Sequence, residues 1–243
     1  MKGTAEVGAG IQELLEVADL QAWYGESHVL HGASFSVRRG ELVTLLGRNG
    51  AGKTSILKSI MGLVGRRSGS ITINGHETIR MQTHRIARLG IGYCPEERGI
   101  FSSLNVEENL LLPPVIKEGG MSLGEIYEMF PNLLERRKSI GTRLSGGEQQ
   151  MLAMARILRT GADLLLLDEV TEGLAPVIVQ SIGRIVRQLK ERGFTIILVE
   201  QNFHFAADLA DRHYIIEHGA IADMIARDEV AGSRERINRY LGV

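Results

Sequence analysis

One cysteine, Cys94, occurs in 243 residues, which excludes an intrachain disulfide and fits a reducing compartment. An excess of one charge sign is also absent. With 28 basic and 29 acidic residues the formal net charge is −1, so no basic surface argues for nucleic acid as a partner. The longest apolar stretches, such as 164–167 and 195–199, fall far short of the roughly 20 residues a membrane helix needs. Residues 1–10 carry one lysine and no apolar core, unlike a secretory leader. The seven histidines show no zinc-ligand spacing, and Cys94 has no partner for a metal site. There is no internal repeat and no low-complexity tract. These absences predict a soluble cytoplasmic chain, with any membrane role supplied by a partner. What is present is an ordinary apolar content of 44%, and 29 glycines that predict many tight loops. The length suits one large α/β unit with a helical insertion.

Periodicity supplies the elements. Residues 14–24 and 29–38 have strand character, with Gly25, Glu26 and Ser27 as the turn between them. Residues 69–74 form another strand, ended by the Asn74-Gly75 turn signal, and 91–94 a short buried strand stopped by Pro95. Residues 106–138 are helical in pattern, interrupted at Pro113-Pro114 and Gly119-Gly120. After Ser145 the pattern becomes regular: helix 146–159, strand 163–167, helix 176–192, strand 194–199 and helix 203–210. A hairpin of 214–217 and 220–224 across His218-Gly219 and a closing helix 227–241 complete it. Such alternation implies a largely parallel sheet with its ligand at the strand C-termini.

Residues 47–54 read GRNGAGKT. Glycine, four residues, glycine, lysine and threonine is the spacing of a phosphate-binding loop. A strand-like run over 41–46 precedes it and helical spacing over 55–61 follows. In that setting the backbone N–H groups of Gly47, Arg48, Asn49, Gly50, Ala51, Gly52, Lys53, Thr54 and Ser55 can cradle the phosphates of a nucleoside triphosphate. Residues 164–169 read LLLLDE, a buried strand ending in two acids. Lys53 would hold the β- and γ-phosphates, while Thr54 and Asp168 would hold Mg²⁺ directly or through water. Glu169, one position further, points elsewhere and can polarise a water for in-line attack on the γ-phosphate. Residues 144–150 read LSGGEQQ. Ser145 and Glu148 form a helix capping box, yet Gly146 and Gly147 inside it are poor helix formers. They make sense where backbone must approach a ligand, with the helix N-terminus facing a second phosphate group.

These three motifs, in this order and with a helical stretch between the first two, resemble the ATP-binding cassette (ABC) ATPases over nearly the whole chain. The resemblance implies an α/β P-loop NTPase fold: a mostly parallel core sheet, an antiparallel β subdomain and an α-helical subdomain inserted at about 97–150, all within one domain, 1–243. It also implies ATP and Mg²⁺ as cofactors and a head-to-tail dimer enclosing two ATP molecules. Ser145, Gly146, Gly147 and Glu148 of one subunit would face the γ-phosphate held by Lys53 of the other. Tyr24 sits where such ATPases stack an aromatic on adenine, and Trp23 beside it is the alternative.

Three departures narrow the branch. Tyr93-Cys94-Pro95-Glu96 stands where a glutamine is usual, Glu200-Gln201-Asn202 where a histidine is usual, and Val170 where a proline is usual. With Gly173-Leu174-Ala175-Pro176 and the closing 239–243 segment, they resemble the ATP-binding subunits of branched-chain amino-acid uptake systems. Glu96 would then reach Mg²⁺ or the attacking water, and Gln201 would be a neutral γ-phosphate sensor, with Glu169 the main catalytic carboxylate. His204 is either a stand-in for the missing histidine or a solvated helix residue. The apolar Ile100, Phe101 and Leu104 are either a dock for a membrane subunit or an anchor for their loop. The implied partners are a second ATP-binding subunit, two membrane permease subunits and a periplasmic or extracellular solute-binding protein. The implied location is the cytoplasmic face of the cell membrane. Related systems for urea, short amides or aromatic acids are the alternative, and a soluble ABC ATPase acting on ribosomes or DNA is a further one. Against the last, only about ninety residues separate the first two motifs, without sustained heptads.

Overall fold

The computed structural model describes residues 13–241; residues 1–12, with the segment 1–10 considered above, and the final Gly242 and Val243 lie outside them. The chain opens with two long strands, β1 (Glu13–Tyr24) and β2 (Ser27–Arg38), then β3 (Leu42–Leu46), the phosphate-loop helix α1 (Lys53–Ile60), β4 (Arg66–Ile73), β5 (His76–Glu77), α2 (Thr83–Ala87) and β6 (Ile91–Cys94). Short helices α3 (Val106–Leu111), α4 (Leu123–Met129) and α5 (Pro131–Glu135) form the insertion, and α6 (Gly146–Leu158) leads back. β7 (Leu164–Asp168), α7 (Pro176–Glu191), β8 (Thr195–Glu200), α8 (Phe203–Ala207), β9 (Arg212–Glu217), β10 (Ala220–Ala226) and α9 (Arg234–Leu241) complete it.

Two sheets result. The antiparallel sheet has the order β2-β1-β4-β5, and the six-stranded sheet the order β10-β9-β3-β8-β7-β6. In the second, β9, β3, β8, β7 and β6 are mutually parallel and only β10 runs the other way. β3, β7 and β8 are buried along their whole length, which is why they are unbroken apolar runs rather than alternating ones. One apolar core lies between the two sheets around α1, and another joins α6, α7 and the inserted helices to the opposite face. Because the five strands are parallel, their C-terminal ends share one edge. The register sets Leu46 opposite Glu200, Asp168 opposite Val199 and Cys94 opposite Leu167. The phosphate loop and the start of α1 follow the end of β3, and Asp168 and Glu169 stand at the end of β7, so these motifs meet at that edge.

Several expected elements differ in extent. The closing helix is not continuous: Arg227–Gly232 is a 3-10 turn, and α9 starts only after Gly232 and Ser233, both poor helix formers. The expected helix 203–210 stops at Ala207, where the Leu209 amide tightens the last turn by donating to the Ala206 carbonyl three residues back. β5 and α2 carried too few residues for a periodic signal. Val170, unexplained by sequence, is fully buried in the core beside α6 and α7, where an aliphatic side chain suits.

His213 illustrates the cost of this burial. It is fully buried on β9, with Nδ1 2.7 Å from the Thr44 hydroxyl, while Nε2 has no partner among the described residues and the Phe203 ring packs edge-on. Burial, helped by the Arg227 charge, pushes its pKa down to about 4. The folded chain therefore holds His213 neutral, whereas the unfolded chain binds a proton near the ordinary 6.5. The resulting stability is present above that value and is lost as pH falls through 6.5 toward 4. Denaturant midpoints measured at several pH values across this window should decline in the parent protein and decline less in His213→Gln.

Candidate functional site

The phosphate loop is shaped by close approaches. A Cβ on Gly47 would stand 2.4 Å from the Ile216 carbonyl oxygen, so only glycine lets the end of β9 lie against the loop. Gly52, at φ 111°, turns the chain into α1 and provides no side-chain cap, and no acidic residue occupies the first turn. The first N–H groups of α1 have no acceptor inside the helix and point at the loop's concave side. An anion is the partner this geometry favours. Lys53 is only 4% exposed; its Nζ donates to the carbonyls of Gly47 at 2.9 Å and Arg48 at 3.2 Å. A cavity of about 690 Å³ opens in front, walled by Asn49, Gly50, Gly52, Lys53, Thr54 and Ser55 with Glu96, Glu169 and Glu172 opposite.

Asp168 lies fully buried at the last position of β7. Its Oδ1 accepts from the Thr54 hydroxyl and its Oδ2 from the Tyr93 hydroxyl, each at 3.0 Å. Burial raises the Asp168 pKa against the pull of those two donors, and burial and the Asp168 charge raise that of Tyr93, which stays a donor. A hydroxyl and a carboxylate beside a phosphate loop form the hard oxygen set that Mg²⁺ takes, so the residues present fit that ion.

Glu169 leaves the strand at φ 48°, a left-handed conformation that costs a non-glycine residue about 1 kcal/mol or more. Its amide donates to the Val199 carbonyl at 3.0 Å, which fixes the turn. The side chain meets Lys53 Nζ at 3.3 Å through Oε1 and accepts from Gln201 Nε2 at 3.0 Å through Oε2. Burial works to raise its pKa, but a hydrogen bond shared with Glu172, the Lys53 charge and the Gln201 donor outweigh it and hold Glu169 below its ordinary value. Glu172 is pushed up to about 7 by that bond and by the Glu169 charge. One oxygen each of Glu96, Glu169 and Glu172 lie within 4.8 Å of one another. Behind them Glu200, 3% exposed, accepts the Thr171 hydroxyl with both oxygens; burial pushes it up to about 7.

The structure thus brings together Lys53, Thr54, Ser55, Asn49, Glu96, Asp168, Glu169 and Gln201. It does not bring Ser145, Gly146, Gly147 or Glu148 to the cavity of the same chain. Ser145 is exposed and closes its capping box with Glu148, while the missing side chain of Gly147 leaves room for Ile178, 2.8 Å from where a Cβ would stand. Gly147 therefore answers to a neighbour within the chain as well as to any ligand. Tyr24 is 45% exposed and outside the cavity wall; Trp23 stacks on His28, with rings 4.4 Å apart. Arg48 is turned away, donating to the Tyr240 carbonyl at 3.2 Å. His204 is exposed on α8. Sequence reasoning missed Tyr93, Thr171, Glu172 and the cavity-lining His28 and His31. Tyr93 stood inside a segment already quoted and Glu172 between two of them, but only side-chain direction reveals their partners.

Residues 30–172 match the sequence model of a family described as ABC transporter. The chain is 42% identical over 211 residues to the high-affinity branched-chain amino acid transport ATP-binding protein BraG of Pseudomonas aeruginosa, covering 86% of this chain and 91% of that one. It is 32% identical over 234 residues to the lipopolysaccharide export system ATP-binding protein LptB of Escherichia coli, covering 94% and 97%. The fold superposes on a solved ATP-binding subunit of an ABC transporter with a TM-score of 0.78 at 28% identity, covering 95% and 100%. With Lys53, Thr54 and Glu169 in one cavity, and Asp168 and Gln201 hydrogen-bonded to its wall, these similarities establish that the chain belongs to the ABC transporter family, as an ATP-binding and ATP-hydrolysing subunit.

Proposed function

We propose that this subunit powers uptake of branched-chain or other hydrophobic amino acids. A closed pair of ATP-binding subunits would drive two membrane permeases fed by a solute-binding protein outside the cell. The observation that carries the motor reading is the division of the site. The phosphate loop and the carboxylates share one cavity, whereas the Ser145–Glu148 helix start faces elsewhere, so a second chain must complete the enclosure. The transported class rests on the similarity to BraG, which exceeds that to LptB in identity. No helix among the described residues is long and apolar enough to cross a membrane, and membrane contact through partners at the cytoplasmic face is part of the proposal. Phe101, Leu111, Leu112 and Val115, exposed on or beside the inserted helices, are the surface proposed for the permeases. Ile100 anchors that loop by packing on the core. Retention of leucine, isoleucine or valine by the binding protein of the isolated complex tests the substrate; retention of urea, a short amide or an aromatic acid instead would assign that class.

In the proposed reaction the triphosphate lies along the loop with its β- and γ-oxygens on the α1 N–H groups and Lys53. Lys53 then exchanges the Gly47 and Arg48 carbonyls and Glu169 for phosphate oxygens, which frees Glu169 Oε1 to accept a proton from water. The water oxygen bonds to the γ-phosphorus, the bond to the β–γ bridging oxygen breaks, and ADP and phosphate result. Thr54 and Asp168, with Glu96 nearby, would hold Mg²⁺, which supplies charge neutralisation between the β- and γ-phosphates. Gln201 orients Glu169 from the other side and can donate to the γ-phosphate, without the cationic form a histidine would offer. Tyr24 or Trp23 remains the proposed contact for adenine.

Two outcomes follow for the isolated protein. Glu169→Gln should lower hydrolysis about 100-fold or more while leaving ATP binding intact and accumulating an ATP-bound dimer, with Gln201→Ala showing a smaller loss. Steady-state turnover and size-exclusion chromatography with ATP check both, and unimpaired turnover in Glu169→Gln would overturn the assignment. Tyr93→Phe removes one donor from buried Asp168, a bond to a charged group contributing about 1.5–3 kcal/mol. The variant should need about tenfold or more Mg²⁺ for half-maximal activity, measured by metal titration at fixed ATP.

A further inference from the structure

The loop between β6 and α3 joins two places that the reaction must use together. Its start carries Glu96 into the phosphate cavity of its own chain. Its end is pinned by the fully buried Asn109, whose Oδ1 accepts the Phe101 amide at 3.0 Å and whose Nδ2 lies 3.1 Å from the Phe101 carbonyl. Between them stands Arg98, in a left-handed conformation at φ 62° that a side chain rarely adopts. That conformation is fastened by Arg156, whose Nη2 donates to the Arg98 carbonyl at 3.2 Å and whose guanidinium lies over the Phe101 ring.

The Arg98 side chain runs the other way, to the start of α6. Nε lies 3.3 Å from Gln150 Oε1 and Nη1 3.4 Å from Gln149 Oε1. The guanidinium lies flat against Gly146, where an added Cβ would meet Nη1 at 3.3 Å. Gln149 in turn donates to the carbonyls of Gly141 and Leu144, and Gln150 to the Cys94 sulfur at 3.6 Å. Arg98 is therefore the bridge between the segment that holds Glu96 and the helix start that carries Ser145. A planar guanidinium with two forked donors suits this role, since it fixes a direction as well as a distance.

We propose that Arg98 is a positioning residue that sets the Ser145–Glu148 helix start relative to the chain's own nucleotide site, so that occupancy of one site is felt at the surface offered to the other. The proposal rests on the two-chain reading above. It also gives Gly146 a task within the chain, which is to let the guanidinium lie against the helix.

The test compares Arg98→Gly, Arg98→Ala and Arg98→Lys. Glycine accepts the backbone conformation at this position without strain, so that variant isolates the loss of the guanidinium. ATP affinity, hydrolysis as a function of ATP concentration and thermal midpoint are measured on the full chain. The expected result is ATP affinity within about twofold of the parent in Arg98→Gly, with kcat lowered about tenfold and cooperativity in ATP reduced. Arg98→Lys, which keeps the charge but not the fork, should recover part of kcat. Parent-like kcat and cooperativity in Arg98→Gly would overturn the proposal. So would losses of ATP affinity and thermal midpoint in step with activity, which mark a merely structural residue. A parent protein whose specific activity does not rise with its own concentration would overturn the two-chain reading itself, and this proposal with it.

Discussion

The Asp168 carboxylate is the fastening on which this site depends. It ends a fully buried strand, and a charge placed there is costly unless each oxygen finds a donor. Thr54 comes from the phosphate-loop helix and Tyr93 from the neighbouring strand, so one side chain ties three elements together. The same two hydrogen bonds that make the burial tolerable also fix where the loop helix starts. A change in any of the three elements would move the Thr54 hydroxyl at the wall of the cavity.

Beyond Asp168 the electrostatics are a balance of unlike pulls. Burial drives Asp168 and Glu200 toward the protonated form and the bond to Glu169 and its charge do the same to Glu172, while Lys53 and Gln201 help to keep Glu169 ionised. Separate environments thus divide four acids at the sheet edge into different roles. Glu169 alone combines a lowered pKa, a cation at 3.3 Å and a strained backbone, which are the marks of a group held ready for proton transfer. Lys53 meanwhile is occupied by two carbonyls and Glu169, so an incoming phosphate must displace contacts before the carboxylate is free.

Much of this was legible in the chain because it is local. GRNGAGKT specifies a turn between a strand and a helix, LLLLDE a buried strand with acids at its end, and Ser145 with Glu148 a capped helix start, as found. The parallel core followed from alternation, and the hairpin across His218-Gly219 from its turn residues. The weak points were short or broken elements, where too few residues carry a period. The closing segment was expected as one helix, yet Gly232 and Ser233 divide it into a 3-10 turn and a helix.

What the sequence determined by itself is the set of parts: a phosphate loop, two acids after a strand, and a helix start built with glycines. Each is encoded within a few adjacent residues, and local backbone preference is enough to form it. Only the tertiary structure decided which parts meet. Parallel pairing brings Glu169 and Gln201, 32 residues apart, into a 3.0 Å hydrogen bond, and side-chain direction makes Tyr93 the second donor to Asp168. The same packing keeps Ser145 out of the cavity and joins the helix that follows it to the Glu96 loop through Arg98. Such contacts depend on strand register and on the face each side chain occupies, and neither is set by the neighbours of a residue in sequence.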